Sequence, residues 1–138
     1  MTRTGVAVLS AWLAVAGATA GCGGRDEASS PEDAVRALIA TARAGDRAAV
    51  YARLGPRTRA RMEALLVSGH RSGGARLLTP QDLLAVGWLP PAWEAAGTRL
   101  VAVEGNEADV EVFSATGDRQ TVRAVREGRG WRVELPLR

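Results

Sequence analysis

The chain has no lysine, and only one cysteine, one histidine, one tyrosine and one phenylalanine in 138 residues. A single cysteine excludes an internal disulfide, and one cysteine with one histidine is too few for a usual zinc site. No glycine-rich phosphate loop follows a strand-like segment, and no serine stands in a G-x-S-x-G elbow. All eighteen basic residues are Arg, a bias that points to a GC-rich genome. They alternate with fifteen acids, so the net charge of +3 is spread over a mixed surface, with no basic block of the kind that binds nucleic acid. Long apolar runs are scarce as well. The run from Gly5 to Ala16 is about a dozen residues, short for a membrane-spanning helix.

That run is nevertheless informative. Arg3 gives a charged start, Gly5 to Ala16 an apolar centre, and Ala18-Thr19-Ala20-Gly21 a region of small residues that ends at Cys22. These are the three parts of a secretory signal peptide. The small triplet before Cys22 resembles the lipobox of bacterial lipoproteins, with Thr19 where that family usually has Leu. The resemblance implies that residues 1–21 are a signal peptide, that Cys22 becomes the lipidated first residue, and that the protein partners a membrane through this anchor. By the family's sorting rule, Gly23 after the anchor implies an outer membrane if the cell has one, and otherwise the outer face of the plasma membrane. Two other readings of the same residues stay open. Ala18-Thr19-Ala20 is an A-x-A site whose cleavage would release a soluble chain, and Gly5 to Gly24 retained whole would be an uncleaved anchor.

Residues 22–30 are small and polar and read as a flexible tether. Residues 31–138 then have the length of one small domain with one core. The domain opens at Ser30-Pro31-Glu32-Asp33, where Ser caps a helix, Pro takes its first position and two acids face the positive end of its dipole. Val35, Leu38, Ile39 and Ala42 follow at helical spacing, and Gly45 closes the helix. Asp46 caps a second helix, with Val50, Tyr51 and Leu54 inward, and Gly55-Pro56 breaks it. A third helix is expected from Arg57 or Thr58 to Gly69, with Met62, Leu65 and Leu66 inward. Thr79-Pro80-Gln81-Asp82 starts a short fourth, and Trp88 and Trp93 flank Pro90-Pro91.

From Thr98 the apolar period changes from 3.6 to 2. Turns fall at Gly105-Asn106, Gly117-Asp118 and Gly128-Arg129-Gly130, which predicts a four-stranded antiparallel meander. Ala108, Val110 and Val112 share one face of the second strand, with Asp109 and Glu111 opposite. Trp131, Val133 and Leu135 share one face of the fourth, with Arg132 and Glu134 opposite. Phe113 has the parity of the acids, which marks a half-buried outer face or a bulge. Helices first and a meander second is an α+β arrangement with helices on one face of the sheet.

The opening Ser30 to Leu38, the joints Ala44-Gly45-Asp46 and Leu54 to Arg59, and the closing Glu127-Gly128-Arg129-Gly130-Trp131-Arg132-Val133 together resemble an NTF2-like domain, of the small bacterial lipoprotein kind exemplified by the DUF4878 family. The resemblance implies a cone, in which N-terminal helices pack on a curved antiparallel sheet with a pocket at the open end. It also implies binding of a small apolar ligand, lined by Tyr51, Trp88 and Trp93, or docking through the outer sheet face onto an envelope protein or as a homodimer. No cofactor is implied. Enzymes of this type, isomerases or dehydratases, set a pocket acid beside Tyr, Arg or a second acid. Tyr51, His70, Asp109, Glu111 and Arg123 are raw material for that alternative, but no convergent set can be named.

Overall fold

The computed structural model describes residues 27–71, 78–84 and 94–136. The signal region, Cys22, Trp88 and Trp93 lie outside them.

The first helix, α1 (Pro31–Arg43), begins as its sequence dictates. Ser30 is extended and its hydroxyl accepts from Asp33 N, with Pro31 at the first position. Its inward stripe buries Ala34, Val35 and Leu38. Gly45, at φ 73°, turns the chain into α2 (Arg47–Arg53), which Asp46 caps through Ala49 N at 3.0 Å. The next helix, α3 (Pro56–Arg71), starts one residue earlier than its composition suggests and continues through Gly69. Met62 is buried in it, but Leu65, expected inside, is 50 % exposed. The hydrogen bonds of α3 to β4 and its exit come from its first turn, and at about 1.5 Å per residue Leu65 lies some 10 Å further along the axis than Thr58. A single turn, α4 (Pro80–Leu83), starts where its sequence indicates, with the Thr79 N–H and hydroxyl both donating to Asp82 Oδ2 at 2.7 Å.

The remaining described elements form one antiparallel sheet in the order β1-β2-β3-β4: β1 (Ala95–Glu104), β2 (Glu107–Ser114), β3 (Arg119–Glu127) and β4 (Gly130–Glu134). The expected meander and its three turns are present, and the molecule is α+β. Ala108, Val110 and Val112 of β2, Ala124 of β3, and Trp131 and Val133 of β4 face the helices and join Val35, Leu38, Val50, Leu54 and Met62 in one core. Arg126 lies over the Trp131 ring, 5.1 Å from its centroid.

Strand β1 is irregular. Ala95 pairs with Ser114 but Gly97 with Phe113, and Leu100 pairs with Val110 but Ala102 with Asp109, so Ala96 and Val101 are each one residue extra. Phe113 itself keeps strict register between Gly97 and Arg119 and is half-buried on the outer face. Its ring lies over Gly97, where any Cβ would overlap it.

Strand β4, at the other edge, is covered. Trp131 N donates to Ala28 O at 3.0 Å and Gly55 N donates to Val133 O at 2.7 Å, so the chain before α1 and the joint between α2 and α3 pair with its free side.

Candidate functional site

Strict alternation along β2 and β3 sends Glu107, Asp109, Glu111, Thr121 and Arg123 to the face away from the helices. Register then decides which charges meet. Asp109 stands opposite Arg123, whose Nε donates to Asp109 Oδ1 at 3.0 Å and whose Nη1 donates to Glu107 Oε2 at 3.2 Å. The hydrogen bond that Arg123 donates to Asp109 holds its guanidinium above its ordinary pKa. Glu107 is shared, since its other oxygen accepts from Arg57 at the start of α3. In a second row Glu111 accepts from Arg99 at 2.7 Å and from Arg119 at 3.4 Å.

Where these rows run up against α3, the surface opens into a cleft of about 340 Å³. Arg57, Thr58 and Arg61 line it from the helix, Thr121 and Arg123 from β3, and Glu134, Leu135 and Pro136 from β4 and its exit. Arg57 and Arg61 are four residues apart, on one face of the helix. Thr121 and Arg123 are two apart, on one face of the strand. Arg61 has no carboxylate partner among the described residues.

Glu134 belongs to the face predicted for it, opposite Trp131 and Val133, yet it is only 8 % exposed. Its Oε1 accepts from Arg57 N at 3.1 Å, and its Oε2 accepts from Thr58 N at 2.8 Å and from the Thr58 hydroxyl at 2.5 Å. These are orphan donors of the first turn of α3, so a side chain from the last strand caps a helix that Gly55 cannot cap for itself. Gly55 is needed here because any Cβ would overlap the Glu134 carboxylate. The Thr58 hydroxyl also accepts from Leu135 N at 2.8 Å, which fixes the chain as it leaves β4.

Tyr51 packs against the core from α2, and its hydroxyl meets Glu63 of α3 at 3.2 Å on the exposed side. Burial, followed by the bond to Glu63, raises its pKa. It does not line the cleft, and His70 is exposed with Nδ1 2.7 Å from Leu66 O. Of the raw material for catalysis, the fold brings Asp109 and Arg123 together and leaves Tyr51 and His70 apart. Among the described residues no group of three or more His, Cys, Asp or Glu is placed to hold a metal ion, and no helix is long and apolar enough to cross a membrane. Arg57, Arg61 and Thr121 were not singled out by sequence. A two-residue Gly117-Asp118 turn would place Asp109 opposite Arg126; the loop is longer and centred on Thr116, which sets Asp109 opposite Arg123, and nothing local says that the start of α3 arrives at the same place.

Compared with known protein families, curated proteins and solved structures, the chain matches none.

Proposed function

We propose that the chain is a lipid-anchored binding domain of the cell envelope, NTF2-like in fold, that holds a small anionic ligand in the arginine-lined cleft without transforming it. The observation that carries this reading is Arg61, a guanidinium on the cleft wall without a carboxylate partner among the described residues, next to Arg57 and Arg123. A guanidinium presents five N–H donors in a rigid fork that fits a carboxylate or phosphate with two bonds at once. Glu134 also lines the cleft, but its oxygens are engaged by the first turn of α3 and not free to serve as a base, which favours holding over chemistry. The order of elements, helices α1–α4 and then a meander, supports the NTF2-like reading. The anchor rests on Cys22 and the residues before it. This ligand is more polar than the apolar one that Tyr51, Trp88 and Trp93 imply.

The test is titration of the full chain in detergent micelles with succinate and with glycerol 3-phosphate, followed by amide chemical shifts. Saturable shifts at Arg61 and Thr121 with one of the two are expected, weakened about tenfold in Arg61→Glu by loss of one charge-assisted pair. Absence of saturable shifts with both probes, or an Arg61→Glu titration equal to the wild type, overturns the reading.

A further inference from the structure

The two edges of the sheet are treated differently. The free side of β4 is paired by Ala28 and Gly55, whereas the side of β1 away from β2 has no strand beside it among the described residues. The apolar face also stops abruptly at β1. Val110 and Ala108 of β2 are buried, but their β1 partners Leu100 and Val103 are 38 % and 51 % exposed, and Val101 at the bulge is 56 % exposed. A ten-residue edge strand with three exposed aliphatic side chains is a template for another strand.

We infer that the occupant of this edge is a second copy of the chain, paired antiparallel through β1 about a two-fold axis between Val101 and Ala102. The sequence of β1 is self-complementary about that point. Leu100 falls opposite Val103 of the second copy and Arg99 opposite its Glu104, each contact made twice by symmetry. Facing residues of an antiparallel pair must project to the same side of the sheet. In a regular strand this register would fail, because residues three or five apart lie on opposite faces. The extra residue at Val101 corrects the parity. Leu100 and Val103 pair with Val110 and Ala108 on the helix side, while Arg99 and Glu104 pair with Glu111 and Glu107 on the outer side. The bulge therefore makes the two-fold register sterically consistent.

Charge points the same way. Glu104 stands opposite Glu107, whose two oxygens accept from Arg123 and Arg57, and it has no guanidinium of its own among the described residues, so one from the second copy would pair with it. Arg99 is well placed to supply it: its side chain is 61 % exposed although Nη2 already donates to Glu111. The overlap of six residues per strand is small for an interface, so the association belongs to the weak, salt-sensitive class.

Sedimentation equilibrium of the full chain in density-matched detergent tests this. A concentration-dependent dimer is expected, with Arg99→Glu and Glu104→Arg each weakening it on the order of tenfold, and an equimolar mixture of the two variants recovering wild-type association as a heterodimer. Recovery in the mixture cannot arise if either variant is misfolded. A monomer at all concentrations, a dimer that both variants leave unchanged, or a mixture that stays dissociated while both variants retain wild-type circular dichroism would overturn the inference.

Discussion

Gly55 and Glu134 depend on each other, and their substitution energies should reveal it. Glu134→Ala leaves two backbone N–H groups and the Thr58 hydroxyl without their acceptor and is expected to cost about 2–4 kcal/mol in urea unfolding. Gly55→Ala forces a methyl group into the carboxylate and is expected to cost about 1–3 kcal/mol. In the double variant the clash is gone, so its cost should fall below the sum of the two; simple additivity would refute the coupling. Alternation along β4 correctly assigns Glu134 to the face opposite Trp131 and Val133. It is silent on burial, because the donors that cover Glu134 lie 76 residues away in sequence. A comparably long separation in sequence hid Arg57 and Arg61 as neighbours of Arg123 on the cleft wall. Local pattern fixes a side chain's face, whereas long-range approach of another element decides whether that face meets water.

At the scale of elements, the clearest signals were the stops and starts. Ser30-Pro31, Asp46 and Thr79-Pro80 each begin a helix, and Gly45, Gly105, Gly117 and Gly128 all take positive φ at the turns they mark. Apolar spacing was less reliable where an element outruns the core, as Leu65 does. The bulges of β1 left no sequence signal, because the local residue types fit a regular strand equally well. The cap of α1 carries a pH dependence. Hydrogen bonds from Ser30 and then Ser29 hold Asp33 below its ordinary value, with Arg36 adding to the effect. A lowered folded pKa means that the stabilisation is fully present above the unfolded value near ~3.9 and is lost as pH falls through the folded one. Ser30→Ala should therefore cost about 1 kcal/mol at neutral pH and also lose less stability than the wild type when acidified below about pH 4. Thermal melts across pH check both parts, and parallel pH curves for the two proteins would count against this account.

From Pro31 onward the described molecule follows the order of its sequence: helices first, then a meander, joined in one core. The α+β architecture was legible because the apolar period switches once, near Thr98, and because each strand pair is closed by a glycine turn. The proposed lipid anchor is a separate matter of chemistry at Cys22. Cells fed an alkyne analogue of palmitate should label the wild-type chain and leave Cys22→Ala unlabelled, with the variant shifting from the membrane to the soluble fraction. Equal labelling of both, or of neither, would remove the anchor from the proposal. Glu134 also has a meaning in time. It is made after every residue of the helix that it caps, so a chain emerging N-terminus first has an uncapped α3 until its last strand follows. A chain threaded through an export channel would thus be kept from premature closure during its passage, and the native state would lock only once the final strand had come through.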